Sequence, residues 1–418
     1  MTDASAAGER FQTLDAIRGI AVMGILLLNA FSFSMPDAGY VNPRAWGGDR
    51  PLDYALWAAN FVLFEGKMRG LFSLLFGASM ALVVTRANAA RGNGGSVHYS
   101  RMFWLLVFGL AHHILIWEGD ILVQYALMGA LAYLFLRKSD RALRGWAVGL
   151  LAASVLLHAV MAWGMQVGEA AGRAPAASAQ AREGRTEILE GAGKPGGAGV
   201  RRDVEIYRGD YRTILDDRVE QAPGTIPFFP LLFGFETLGL MLLGVLLLRN
   251  GFLTGRWEAR RYRRVAFWGY LLGLPPLLAL AAWLWAAGFP TLPTFAAFLA
   301  WGEPFRYPVM LAHAALAILL LRRFAGGALA TRIAAVGRAA FSNYLGTSVV
   351  MTTLFYGYGL GLYGHVGRAE VYVVIVAVWA LMLLWSKPWL DRFHYGPLEW
   401  LWRSLARGRP QPMRRAPA

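Results

Sequence analysis

Residues 17–34 read IRGIAVMGILLLNAFSFS, an apolar run interrupted only by Arg18 near its start and Asn29 well inside it. About 20 such residues in a helix cross the roughly 30 Å of hydrocarbon in a bilayer. The run does not alternate polar with apolar residues, so it is a membrane helix and not a barrel strand. The leader before it mixes Asp3, Glu9, Arg10 and Asp15, and no small-x-small site follows it. This reads as an uncleaved first crossing, not a signal peptide.

Working outward from that run, the same pattern recurs along nearly the whole chain of 418 residues. Spans are predicted at 17–34, 54–84, 102–117, 121–136, 143–165, 228–248, 264–287, 304–322, 332–356 and 369–386. The expected fold class is therefore all-α, a polytopic membrane protein built as one bundle of about ten transmembrane helices. The composition agrees, with 56% hydrophobic and 16% charged residues and a mean hydropathy of +0.41; a soluble domain carries roughly 25% charge. The span at 54–84 is too long for one straight crossing and holds Glu65, Lys67 and Arg69 near its middle. A break is expected there, with 52–64 as a tilted or re-entrant first half.

The net charge of +15 belongs to Arg residues at the ends of apolar runs, a pattern of membrane orientation and not of nucleic-acid binding. The short loops on one side hold Arg44, Arg50 and Arg368, whereas most of the 41 Lys and Arg residues flank the other side. That bias places both the N- and the C-terminus in the cytoplasm. Residues 1–168 form the first half of the bundle and 223–418 the second half with a basic cytoplasmic tail. Between them, 169–222 is an extracytoplasmic loop. Its Ala/Gly/Pro-rich 172–200 part reads as flexible, and 203–221 reads either as an amphipathic cap helix or as a solvated loop. No internal repeat is evident, and the chain has no Cys, which excludes disulfides, a thiolate nucleophile and Cys-ligated metal. No metal site is expected, and the sequence leaves a dimer open.

Charged groups cost several kcal/mol in hydrocarbon, so those within the spans are the default functional candidates. Asp15 and Arg18 lie three apart on one helical face at the inner surface, placed either to hold an anionic group or to cap the first helix; Asn29 lies deeper and needs a partner. Glu65, Lys67 and Arg69 form either a ligand site or an ion pair at the helix break. His112 precedes a tight turn, Trp117-Glu118-Gly119-Asp120, with Gln124 and Tyr125 following. A His beside a carboxylate is what general-base catalysis needs, and a hydrogen-bonded packing histidine is the alternative. Arg338, Ser342 and Asn343 mark a polar stripe on an apolar helix, which could bind a ligand or join helices. Glu236, Glu303, Arg306, His158, His313 and His365 are weaker candidates; Glu236 has no basic neighbour in sequence and must be protonated, pair across the bundle or face water.

Six stretches, LDAIRGIAVMGILLLN at 14–29, GYVNPRAW at 39–46, 67–77, GLAHHILIWEGDILVQY at 109–125, 337–345 and GPLEWLWR at 396–403, together resemble the YeiB family of bacterial inner-membrane proteins, a domain of unknown function. Departures are Met68, where the family usually has Phe, and Thr347, where it often has Gln. More distantly, the Asp15-x-x-Arg18-Gly19 opening is similar to the transmembrane acyltransferases, which move an acyl group from cytoplasmic acyl-CoA to an acceptor across the membrane. Those with a His in the first outer loop differ from this chain, whose 35–53 loop has none.

The resemblance implies a membrane-bound acyltransferase in the bacterial inner (cytoplasmic) membrane, surrounded by membrane lipids, with acyl-CoA as donor and an envelope or glycan acceptor. His112, Asp120 and Glu118 would be catalytic. Asp15, Arg18, Asn29, Glu65, Lys67, Arg69, Trp117, Tyr125, Arg338, Ser342 and Asn343 would line the donor path. The alternative is a transporter or channel that uses the same buried charges to carry a small solute or lipid.

Overall fold

The computed structural model describes residues 3–415, with side chains from residue 12 onward. In chain order its helices are α1 (Asp3–Ser34), α2 (Asp37–Val41), α3 (Pro51–Ala59), α4 (Lys67–Arg91), α5 (Gly94–Leu115), α6 (Leu122–Ala132), α7 (Asp140–Arg173), α8 (Ala179–Gly191), α9 (Ala198–Tyr207), α10 (Tyr211–Arg249), α11 (Ala259–Ala286), α12 (Thr291–Ala296), α13 (Glu303–Arg323), α14 (Ala328–Arg338), α15 (Ala340–Phe355), α16 (Arg368–Arg392) and α17 (Pro397–Ala406). Among the described residues there is no strand, only an isolated bridge between Phe393 and Arg414.

Seven helices are long and apolar enough to cross a membrane: 12–34, 51–91, 140–173, 211–249, 259–286, 303–323 and 368–392. The other three expected spans take different forms. Residues 102–115 of the expected 102–117 belong to α5, residues 121–136 to the shorter α6 with a 3₁₀ turn after it, and 332–356 is divided between α14 and α15. Outward-facing side chains on α7, α11 and α16, among them Leu156, Trp163, Leu272, Val373 and Leu384, are exposed. Apolar faces this extensive need hydrocarbon around them, as in an integral, multi-pass membrane protein.

The break expected in 54–84 is present: α3 runs into a π-helical turn at Asn60–Phe64, and α4 restarts after Gly66. A second interruption of the same kind follows α12, a π-helical turn at Ala297–Trp301 before α13. The 172–200 stretch, expected to be irregular, holds α8 and the first three residues of α9, and the cap expected at 203–221 is split between α9 and the start of α10. α10 continues through Pro223, Pro227 and Pro230 into the bundle.

α1 lies at the centre, against α4, α14, α15 and α16. The α1–α14 crossing explains two glycines of the sequence motifs. A Cβ on Gly337 would fall 1.7 Å from the Asp15 carbonyl oxygen, and one on Gly19 would fall 2.1 Å from that of Ile333. The helices touch backbone to backbone there, as small residues allow. The division of 332–356 also has a local cause. Glu399 of α17 accepts the backbone N–H of Phe341 at 2.6 Å and of Ser342 at 3.1 Å, so its carboxylate caps a new helix start.

Candidate functional site

α5 ends at Leu115, and the chain turns back into α6 through Trp117-Glu118-Gly119-Asp120. The turn lies tight on α5 because Gly109 has no side chain: a Cβ there would meet the Val123 nitrogen at 2.6 Å and Asp120 Oδ2 at 3.0 Å. Asp120 is thereby set beside His112, whose Nδ1–H donates to Oδ1 at 2.8 Å, while the Val123 N–H donates to Oδ2 at 2.9 Å. One carboxylate so caps α6 and fixes the imidazole. His112 is 1% exposed, and its Nε2 has no hydrogen-bond partner among the described residues. With the proton on Nδ1, Nε2 presents a free lone pair. Trp117, packed on Phe33 with ring centres 4.1 Å apart, shields the dyad, and the Tyr344 ring lies 5.5 Å from the imidazole.

Tyr344 also closes one end of a cavity of about 190 Å³ that runs between α1, α4, α5, α6 and α15. Its walls are apolar, with Val22, Ile25, Phe72, Phe76, Met102 and Leu105, and Tyr125 stacks between Phe72 and Phe76. The opposite end, beside α17, is ringed by Arg18, Arg101, Arg338 and Arg403. Arg18 is engaged with Asp15 at 2.8 Å and with Ser79 Oγ at 2.6 Å. Arg101 and Arg403 lie over the rings of Trp402 and Tyr395, and neither they nor Arg338 pair with a carboxylate at salt-bridge distance among the described residues. Arg101 and His112 are eleven residues apart on α5, so the cationic mouth and the imidazole are separated by roughly 16 Å along the helix axis.

The other predicted residues fall elsewhere. Neither Lys67 nor Arg69 lines this cavity. Lys67 Nζ is fully buried and donates to the Phe61 carbonyl at 2.7 Å; the ion pair with Glu65, one alternative read from the sequence, is absent among the described residues, and Glu65 accepts the Tyr40 hydroxyl instead. Arg69 pairs with Glu236 at 2.7 Å and lies 4.2 Å from the Phe233 ring centre. The Tyr125 hydroxyl donates to the Arg69 carbonyl oxygen at 3.2 Å, joining this polar belt to the cavity wall. Asn343 is satisfied by Val336, Ser386 and Trp385, and Ser342 by Glu399 and the Leu398 N–H. Both join helices. Asn29 faces a void of about 10 Å³ beside Tyr344 and Thr347. Glu118 points away from the dyad, to Tyr207 and Arg218 Nε.

Sequence reasoning overlooked Arg101, Arg403 and Trp402 as site residues, since each is an ordinary interfacial residue until α17 folds against α5. It underrated Glu303, which binds His158 Nδ1 at 2.7 Å and Ser154 Oγ at 2.7 Å from nearly 150 residues away. No cluster of three or more His, Asp or Glu placed to hold a metal ion is found among the described residues.

The model of the family described as Protein of unknown function (DUF418) matches residues 247–409. YeiB of Escherichia coli (strain K12) is 31% identical over 407 residues, 95% of this chain and 96% of YeiB. YxaH of Bacillus subtilis (strain 168) is 30% identical over 406 residues, covering 95% of this chain and 94% of its own. A 39.9 kDa protein from the amylase 3' region of Bacillus acidopullulyticus is 23% identical over 98% of both chains. No solved structure matches. Full-length similarity at this level, together with the family model, places the protein in the YeiB-like, DUF418 family.

Proposed function

We propose that this protein is a membrane acyltransferase of the bacterial inner membrane. It would take an acyl group from cytoplasmic acyl-CoA and deliver it to a hydroxyl or amine at the opposite face. The reading takes ten crossings, counting α5, α6 and the α14–α15 pair, with both termini cytoplasmic. The observation that carries it is the dyad with a free Nε2 set behind Tyr344, a wall residue of an apolar cavity that is also lined by a cluster of arginines. A phosphorylated head with an apolar chain is the ligand such a cavity suits.

In the proposed reaction His112 Nε2 takes the acceptor's proton as its oxygen or nitrogen attacks the thioester carbonyl. The C–S bond breaks, the acyl carbon keeps the acceptor, and the imidazolium returns the proton to the departing thiolate. Asp120 holds the tautomer and steadies the imidazolium, and a base so positioned contributes about 10²–10⁴-fold. The test uses the protein in nanodiscs with acyl-CoA, reading CoA thiol release. Arg101→Glu and Arg403→Glu should raise the donor KM with little change in kcat, and His112→Ala should bind donor without turnover. Normal turnover by His112→Ala refutes the assignment.

One observation favours transport as a second reading. The two interrupted helices meet: the Arg306 side chain lies against Gly66, and the Phe61 ring lies against Gly302. In each, a carbonyl of the π-helical turn, Phe61 or Phe298, accepts a cation from the helix that follows, Lys67 or Arg306. Paired discontinuous helices around buried charge are the device of solute carriers. Solute flux into liposomes without consumption of acyl-CoA would favour it.

A further inference from the structure

Beyond the dyad, at the end of the bundle covered by α9 and the first turns of α10, lies a group of polar side chains with no role in the reaction above. Arg218 is 2% exposed; its Nε–H donates to Glu118 Oε2 at 3.1 Å, while Nη1 and Nη2 are buried without a partner among the described residues. Its guanidinium carbon lies 5.6 Å from the ring centre of Tyr356, itself fully buried, whose hydroxyl likewise has no partner. Tyr207 forms another wall, its ring centre 4.7 Å from that of Tyr356 and 5.1 Å from that of Tyr363, and its hydroxyl donates to the other oxygen of Glu118.

Glu118 accepts Arg218 Nε–H and the Tyr207 hydroxyl, one on each oxygen, and neither Nη1 nor Nη2 reaches it. What is left is the open edge of a guanidinium, with its four N–H bonds, and one hydroxyl, with no acceptor facing them. Burying such groups unpaired is costly, so the site is complementary to a ligand that brings acceptor oxygens. The planar fork matches two oxygens of one oxyanion better than a neutral carbonyl. Arg208, whose Nε–H donates to the Tyr363 carbonyl at 2.9 Å, adds a second positive charge to the cluster. Asp37 and Asp203 lie near the same tyrosines, but burial raises the Asp37 carboxyl to about 8, so at neutral pH Asp203 is the main opposing charge. The fork, with its paired N–H groups, selects a two-oxygen anion over chloride.

We infer that Arg218 and Tyr356 bind an oxyanion, a carboxylate or a phosphate, carried by the acceptor; that the ligand is the acceptor rests on the acyl-transfer reading. The connection to chemistry is covalent and short. Glu118 and Asp120 stand two residues apart in one turn, the first holding Arg218 and the second holding His112. An acceptor anchored on the fork is therefore positioned by the same turn that orients the base. Arg218 and Tyr356 act in this proposal as binding and positioning residues, not as proton-transfer groups.

The experiment measures the thermal midpoint of the protein in phosphatidylcholine nanodiscs against inorganic phosphate and against glycolate, with chloride holding ionic strength constant. A saturable rise of a few degrees with phosphate or glycolate, and none with chloride, is expected. Because the Tyr356 hydroxyl has no partner among the described residues, Tyr356→Phe should keep the anion-free midpoint and weaken anion affinity roughly tenfold. Arg218→Lys, which keeps the charge and loses the fork, should abolish saturation. A rise that requires phosphatidylglycerol in the disc and no free anion assigns the same fork to a lipid headgroup. No anion-specific shift under any of these conditions, or wild-type affinity in Tyr356→Phe, overturns the proposal. His112→Ala must still bind the anion; if it does while no oxyanion-bearing acceptor is ever acylated, the oxyanion site stands and the acyl-transfer reading fails.

Discussion

Replacing Asp120 with Asn separates what the dyad contributes to structure from what it contributes to chemistry. The native carboxylate satisfies two buried donors with two oxygens, His112 Nδ1–H at 2.8 Å and the Val123 N–H at 2.9 Å. Asn has one acceptor oxygen. If that oxygen faces His112, the amide NH₂ meets the Val123 N–H and two buried donors are stranded, at about 1–3 kcal/mol each. If it faces Val123 instead, the NH₂ donates to Nδ1 and both bonds survive, but the imidazole proton must move to Nε2. The second arrangement is the cheaper by the cost of those donors, so it is the one expected. The variant should keep its stability to within about 1 kcal/mol, yet its former base nitrogen is now a donor. Turnover should fall by about 10²–10⁴-fold with donor KM unchanged. Asp120→Ala strands both partners and should instead cost about 2–6 kcal/mol of stability.

Hydrolysis of acyl-CoA, with water in place of the acceptor, reports the chemistry through a thiol-reactive dye; the chain has no Cys, so the protein contributes no background. An Asn variant that turns over within fivefold of wild type, or that unfolds as readily as the Ala variant, would refute the reasoning.

Other consequences follow from the packing and the charges. Gly337→Ala places a methyl 1.7 Å from the Asp15 carbonyl oxygen, so α1 and α14 must separate; a loss of about 1–3 kcal/mol or more in detergent unfolding is expected. Arg69→Met leaves Glu236 buried without its 2.7 Å partner and should cost about 3–5 kcal/mol, most of it recovered when Glu236→Met is added. Asp203, on the cap, has its carboxyl raised from 3.8 to about 6, chiefly by burial and further by the nearby Glu118. The folded cap then holds a proton that the unfolded segment has already released between about pH 4 and 6. Its stability is complete below pH 4 and declines as pH rises toward 6. Hydrogen exchange in α9 should therefore speed up over that window, and Asp203→Asn should flatten the change.

Some of this was legible from residue order alone. The break in 54–84 followed from Glu65, Lys67 and Arg69 in the middle of an overlong run, and the structure breaks at Gly66. Its lack of basic neighbours left Glu236 to be protonated, to pair across the bundle or to face water, and the structure selects the second, with Arg69 as partner. The His112–Asp120 contact was readable because only a tight turn separates the two. The partners of Lys67 and Glu65 were not, since local spacing said nothing of Tyr40, which takes Glu65. The single helix expected at 332–356 failed for the same reason: the carboxylate that restarts it, Glu399, comes from α17.

Hydropathy by itself determined that the chain is an all-helical, multi-pass membrane protein, because the cost of an unpaired backbone in hydrocarbon acts on every segment separately. Which polar groups meet inside that bundle was decided only by the tertiary structure. Those contacts join residues tens to hundreds apart, through glycines whose small size matters only once a second helix arrives. So Asp120 beside His112 belongs to the sequence, whereas the arginine-ringed cavity beneath it and the unpaired fork of Arg218 above it belong to the fold.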